Sequence, residues 1–387
     1  MPRKPPSPAD DALLAAAAAR GVRVSAYQLE RWRAAGLLPR NLVDRTGPGR
    51  GTTSVAPDEA LDLAVWLARN DGPGRRRRDV ALEAFEAGLP VPEPTVRKAW
   101  HDLVADIQLT GEHDTAAPAD AEARGDWASE VAEQAAAAAH PVLMPRRIRR
   151  IDDRIQSIVP LWSLPEVAAL DQGTDVEPVT PHQSAVFAGS ALLGGGEVAS
   201  GPEVARQFRA MLPAGAASPA ASWMEHPDQR YGDPADMVTA SGDHLIPVGD
   251  MREPLAELAG RSSLDLLRAA LQAAKEMYEW AEAQCAAVEA ELDSGELGEA
   301  TTAWMTHAVS GLSRMLIVMA IRDRQPSVDD RAGAALMLLF LTDAVRRLPQ
   351  FVPDVDTETL SVVFPPFLHD LAGLTPPHPP VLENVKT

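Results

Sequence analysis

Residues 22–57, VRVSAYQLERWRAAGLLPRNLVDRTGPGRGTTSVAP, constrain the fold more than any other stretch of the chain, because they spell a short helix with both ends marked, followed by a basic, glycine-rich loop. Ser25 stands three residues before Gln28, the S-x-x-Q spacing of a capping box, in which each side chain satisfies an orphan backbone N–H at the helix start. Val24 and Leu29 hold the positions of a hydrophobic staple. Gly36 is placed to take the left-handed conformation at the helix end, letting Leu37 fold back on Trp32. Pro39 then forbids continuation. Upstream, 10–20 is alanine-rich with Leu13 and Leu14, a good helix former by propensity, and Gly21 ends it.

Two short helices followed by a loop in which Gly47, Gly49 and Gly51 permit a tight turn, with Arg45 and Arg50 flanking its tip, have the order of a winged helix-turn-helix. The stretch resembles the MerR family of bacterial regulators, whose recognition helix ends in aromatic-x-x-x-Gly-Leu-Leu-Pro before an arginine-bearing wing. Here that pattern is Trp32-Arg33-Ala34-Ala35-Gly36-Leu37-Leu38-Pro39, and the resemblance covers roughly residues 9–100. It implies double-stranded DNA as the partner, and pairing of two copies. Two positions depart from the family pattern: Glu30, where many relatives carry an arginine, and Ala56, where a tyrosine is common.

Tyr27 and Arg31, four apart, share a helix face turned away from Leu29 and Trp32. Arg31 suits a phosphate or a guanine edge, and Tyr27 a phosphate or a thymine methyl. Gln28 can read adenine, although the capping box also gives it a structural role. Arg33 is placed to approach the DNA backbone from the helix flank, and Arg45 and Arg50 to reach it from the wing. Arg75 and Arg76 open a four-arginine run ahead of a helix, where the helix dipole favours negative charge, so phosphate contact rationalises them. Tyr27, Gln28, Arg31, Arg33, Arg45, Arg50, Arg75 and Arg76 are therefore the candidate DNA-binding residues. A second basic run, RRIRR at 146–150, lies outside the resemblance and outside this set.

The formal net charge of −19 looks wrong for a DNA binder until it is divided by position. Residues 1–100 carry 16 Lys and Arg against 12 Asp and Glu, and the remainder 20 against 43. Phosphate affinity belongs to the first block, while an acidic second block disfavours nonspecific coating of DNA or simply aids solubility.

At 387 residues the chain has room for two or three domains. The expected fold class is mainly α: a winged helix-turn-helix domain over 1–110, a linker and irregular or partly helical region over 111–255, a helical bundle over 256–350 and a Pro-rich tail over 351–387. Further helices are expected from Pro57, over 75–88, and over 95–109, the last with Val96, Trp100, Leu103 and Ile107 as a stripe suited to subunit pairing or to packing on its own domain. No definite architecture can be read over 141–255. From Leu264 to Leu292, apolar residues follow alternating steps of three and four, predicting a long helix. Helices over 299–322 and 328–348 complete an antiparallel bundle. Packing within one chain is the favoured use of that seam, and the bundle is the expected seat of a small-molecule or protein effector, with Tyr278, Trp280 and Trp304 as candidate lining or core.

Cys285 is alone, which excludes an intrachain disulfide, and MPRKPPSPADD lacks the apolar core of a signal peptide, so a cytoplasmic, nucleoid-associated protein without membrane insertion is expected. The run 336–341 is far shorter than the roughly 20 residues of a membrane span. Gly194-Gly195-Gly196 lacks the Lys-Ser/Thr of a phosphate loop and the histidines lack H-x-x-x-H spacing, so neither catalysis nor a metal or cofactor is expected. The sequence thus predicts a MerR-like transcriptional regulator. An architectural or excisionase-like protein of a mobile element, and a protein-interaction adaptor that has lost DNA binding, stand as alternatives.

Overall fold

The computed structural model describes residues 6–45, 52–112, 116–138, 143–159, 169, 179–213, 216–226, 233–321, 325–352, 360–361 and 364–374. The protein is mainly α-helical, with one two-stranded sheet among the described residues. It divides into two compact units that do not follow the consecutive spans expected. The first takes Met1–Asp106, Ala256–Gln272 and Ser327–Ala334, and the second takes Ile107–Leu255, Ala273–Pro326 and Ala335–Thr387.

In the first unit, α1 (Pro8–Ala19) starts two residues earlier than expected, because Ser7 and Asp10 form a capping box and Pro8 occupies a first-turn position where no N–H is needed. Ala9, Leu13 and Ala17, four apart, form its buried face. Helix α2 (Ala26–Ala34) begins at the Ser25–Gln28 capping box. It closes as the sequence predicts: the Gly36 N–H bonds to the Arg33 carbonyl at 3.0 Å and the Leu37 N–H to the Trp32 carbonyl at 2.9 Å, the paired bonds of a Schellman motif. Leu29, Trp32, Leu37 and Leu38 are buried beneath it.

Gly36 has a φ of 76°, and a Cβ there would lie 2.6 Å from the Thr95 hydroxyl, which donates to the Gly36 carbonyl at 2.7 Å. Gly36→Ala is therefore expected to cost at least the roughly 1–2 kcal/mol of a left-handed L-residue. Chemical denaturation should show an earlier midpoint, and an unchanged midpoint would mean that this turn is not held as described.

Strands β1 (Leu42–Arg45) and β2 (Thr52–Val55) pair antiparallel with Leu42 opposite Val55 and Arg45 opposite Thr52. Helix α3 (Ala60–Asn70) buries Leu63, Ala64 and Leu67, and α4 (Arg77–Glu86) buries Val80, Leu82 and Phe85. Helix α5 (Glu93–Ala105) packs on α4 and ends short of Ile107, while Val96, Trp100 and Leu103 are buried, so the stripe considered for subunit pairing is already covered.

Arginines fasten the later segments of this unit. Arg97 donates to the Ala259, Gly260 and Ser262 carbonyls at 2.8–3.2 Å, closing off the end of a helix where orphan acceptors collect. Arg268 lies 4.5 Å over the Phe85 ring, and Arg331 pairs with Glu86 at 2.9 Å.

The second unit contains α6 (Ala121–Ala138), α7 (Arg146–Ile158), α8 (Pro181–Gly194), α9 (Gly201–Ala210) and α10 (Pro219–Glu225). Much of 141–255, for which the sequence offered no definite architecture, is thus helical. Ala128 and Ala132 of α6 are buried, and Gly189 of α8 comes so near Ala132 that a Cβ would lie 2.9 Å from that side chain. Helix α11 (Arg252–Arg261) precedes the long α12 (Leu264–Ser294), whose residues 273–294 belong to this unit. Most of the predicted seam holds: Leu267, Leu271, Ala274, Ala281, Cys285, Val288 and Leu292 are buried, whereas Leu264 and Tyr278 are only partly so and Met277 fills the core beside Tyr278. Burial pushes the Cys285 thiol up to about 12, leaving it unreactive in the folded state.

The helix expected over 299–322 is two, α13 (Glu299–Ser310) and α14 (Leu312–Ala320), broken where Gly311 adopts a φ of 73°. Helix α15 (Val328–Phe351) follows. Within the Pro-rich tail, Phe364, Leu368, Leu371 and Leu374 are buried around the short α16 (His369–Ala372).

The core of the second unit holds a buried ion pair. Arg314 on α14 bonds Asp152 on α7, whose other carboxylate oxygen accepts from the Trp304 indole at 2.9 Å. Nearby His307 falls from 6.5 to about 4, through burial first and the Arg314 charge second. Between those pH values the unfolded chain takes up a proton that the folded chain refuses. Stability is therefore expected to fall as pH drops from 6.5 towards 4, by at most about 1.4 kcal/mol per pH unit from this residue. His307→Asn should flatten that limb of the stability–pH curve, and equal slopes in both proteins would contradict it.

Candidate functional site

The exposed face of α2 is built by subtraction. Because Leu29 and Trp32 turn inward, Tyr27 and Arg31 are left outward, 53% exposed as a residue and 47% exposed as a side chain respectively. Arg31 is not unengaged: Asp71, just past α3, accepts from its guanidinium and also from the Trp32 indole at 2.6 Å. Asp71 thus fixes the direction in which Arg31 leaves the helix. Arg23 ahead of α2 and Arg40 behind it are exposed as well. Their positions just outside the capping box and the Gly-Leu-Leu-Pro stop were the sequence signal that could have added them.

Other candidates do not join this face. Gln28 accepts from the Ser25 N–H at 2.9 Å as the return half of the capping box, so its amide oxygen serves the helix start. Arg33 is engaged within the unit. Its side chain is 16% exposed, pairs with Asp10 at 2.5 Å and donates to Asn41 at 2.8 Å, which ties α2 to the first turn of α1. Burial works to raise the Asp10 carboxyl, but the hydrogen bonds from Ser7, Arg33 and Asn41 outweigh it and hold the group below its usual range.

The four-arginine run is also turned largely to internal use. Arg75 pairs with Glu83 at 2.6 Å and donates to the Asn70 carbonyl at 3.0 Å. Arg76 is 66% exposed but stands 3.6 Å from Asp329 and 3.9 Å from Asp106. Arg78 is buried and reaches Asp106 at 2.6 Å and Asp329 at 2.9 Å. A local conflict with the helix dipole is thereby resolved by carboxylates of the same unit, and phosphate is not needed to explain it. Arg77 is the exposed residue of the run besides Arg76.

The loop between β1 and β2 supplies the remaining candidates. Arg45 is the last residue of β1, so its backbone position is fixed by pairing with Thr52. Arg50 lies outside the described residues. Along the hairpin, Leu42 and Val55, paired across the strands, are 63% and 60% exposed on one face, and Val43 is 63% exposed on the other.

The basic run at 146–150 belongs to another arrangement. Arg147 bonds Glu282 at 2.6 Å and Glu289 at 2.7 Å, Arg150 reaches Glu289 at 3.2 Å, and Arg154 pairs with Asp293 at 2.8 Å. These acidic residues of α12 neutralise the arginines while Ile148, Ile151 and Ile155 fill the core. Among the described residues, no helix is long and apolar enough to cross a membrane and no cluster of His, Cys, Asp and Glu is placed to hold a metal. No protein-family model, no curated protein and no solved structure matches the chain.

Proposed function

We propose that the first unit binds double-stranded DNA as a MerR-like winged helix-turn-helix, and that the protein is a transcriptional regulator acting as a homodimer whose acidic second unit senses an effector. The observation that carries this reading is the outward pair Tyr27 and Arg31 on a helix capped at both ends and followed directly by an antiparallel hairpin. A helix held this firmly can enter a major groove without fraying, and a hairpin beside it can follow the backbone. Arg23 and Arg40 extend the positive charge at either end of α2. Pairing of two copies enlarges a readable site that a single short helix would leave small. Selection of random duplex DNA on the full chain tests the reading: a recurrent sequence is expected to emerge, and a pool without enrichment would reject it.

A second reading draws on a different observation. Leu42 and Val55 expose an apolar pair on one face of the hairpin, while Arg33, Arg75 and Arg78 are held in internal ion pairs. That combination suits a protein-interaction adaptor that has lost its duplex target, and it requires DNA binding by the chain to be weak and insensitive to salt.

A further inference from the structure

Asp71 closes α3 from the C-cap position, its backbone N–H bonding the Leu67 carbonyl at 2.7 Å. A carboxylate there stands at the negative end of the helix dipole, the end that favours cations. One of its oxygens, Oδ2, accepts both from the Arg31 guanidinium and from the Trp32 indole at 2.6 Å. The indole belongs to a side chain 1% exposed and needs an acceptor, but a neutral amide would meet that need without placing an anion at this helix end. Stability does not account for the charge either, because an ion pair with a partner as exposed as Arg31 gains little. The Asp71 side chain is 13% exposed against 47% for Arg31, so the anion is largely covered while the cation it holds stays open to solvent.

That arrangement separates the two duplex features an arginine can meet. A phosphate is drawn by net positive charge, and Asp71 cancels it, so the pair presents a dipole rather than a cation. The directional N–H groups survive. The bond to Asp71 uses one Nη2 hydrogen, and among the described residues the Nε and Nη1 of Arg31 have no partner, which leaves a fork of donors on one planar group of fixed direction. A fork of donors fits an edge that carries two adjacent acceptors. In the major groove guanine offers such an edge, N7 beside O6, whereas adenine sets a donor beside N7, cytosine presents a donor, and thymine an acceptor beside a methyl.

We propose that Arg31 reads one guanine through N7 and O6, and that Asp71 is the positioning residue behind this specificity, aiming the guanidinium and cancelling the charge that would otherwise hold it on phosphate. This rests on the DNA-binding reading above and deepens it by naming the base. Removing the carboxylate then acts in opposite directions on specificity and on charge. Asp71→Asn keeps an acceptor for the Trp32 indole, but it frees the Arg31 cation for a phosphate.

The test starts from a duplex selected by the full chain, in which each guanine in turn is replaced by 7-deazaguanine, a base that keeps its pairing and lacks the N7 acceptor. Anisotropy titrations are expected to find one position at which the replacement costs the parent about tenfold in affinity and costs Arg31→Ala nothing. On an unrelated duplex, Arg31→Ala should leave the slope of log affinity against log salt unchanged, because Asp71 has already cancelled that charge. In Asp71→Asn the loss at the coupled guanine should shrink to about twofold or less, while affinity for the unrelated duplex rises and its salt slope steepens by up to about 0.9. A merely structural Asp71 would weaken binding to both duplexes alike, and that outcome overturns the proposal. So does a selected duplex with no guanine coupled to Arg31, or a slope that falls by about 0.9 in Arg31→Ala, which would put Arg31 on a phosphate. The last two comparisons decide the matter even if Asp71→Asn fails to fold. Selective, salt-dependent binding without that coupling strikes this proposal alone, whereas a pool without enrichment strikes the DNA-binding reading with it.

Discussion

Replacement of Asp152 by alanine is expected to destabilise the second unit by about 3–5 kcal/mol, the largest effect of any single substitution considered. The Asp152 and Arg314 side chains are 4% and 1% exposed. Removing the carboxylate leaves a guanidinium buried beside Trp304, with its Nε still bonded to the Met211 carbonyl at 3.0 Å and its Nη1 already lacking a hydrogen-bond partner among the described residues. The intact pair is nevertheless a poor source of net stability. Burial pushes the Asp152 carboxyl above its ordinary range and outweighs the opposing pull of Arg314, so desolvation exceeds attraction. The double substitution Asp152→Leu with Arg314→Met is therefore expected to recover most of the loss. Denaturant unfolding of the two single variants and the double separates these cases. Singles that unfold like the parent would show that the pair is not held dry, and a double as unstable as the singles added together would show that pairing is not what links them.

The second large effect concerns the wing. If Arg45 and Arg50 each neutralise a phosphate, replacing both with alanine should lower the slope of log affinity against log salt by about 2. Affinity at physiological salt should fall roughly ten- to fifty-fold, following the counterion-release slope of about 0.9 per phosphate. Anisotropy titrations across a salt series measure both quantities together. A reduced affinity with an unchanged slope would assign the arginines to hairpin stability, and no change in either would remove the wing from the interface.

What could be read from the sequence was set by how local the determining interactions are. Helix α2 was legible because its start depends on Ser25 and Gln28 and its stop on Gly36, all within a dozen residues. The seam on α12 was legible for the same reason, since one helix repeats its own spacing. The helices of 141–255 are hard to read from sequence because proline inside a helical pattern ordinarily breaks it. Pro181, Pro202 and Pro219 instead stand in first turns, where proline is tolerated, and Thr180 with Gln183 even forms a capping box.

The candidate site was legible only as far as its helix. That Tyr27 and Arg31 face outward follows from helical spacing alone. That Arg33 is occupied depends on Asp10, 23 residues earlier, and that Arg78 is buried depends on Asp329, 251 residues later. A run of cations shows its charge in the sequence, but its partners are assembled only by tertiary folding. The same holds for Arg147, whose partners Glu282 and Glu289 lie two turns apart on α12.

The central claim is that the Tyr27 and Arg31 face of α2 reads a duplex. Its most direct test compares the full chain with the Tyr27→Ala, Arg31→Ala double variant on a selected duplex and on an unrelated one of equal length. The account predicts that the ratio of the two affinities collapses towards one in the variant, while salt-dependent binding to the unrelated duplex persists. A variant that folds normally and keeps the parent's ratio would contradict it.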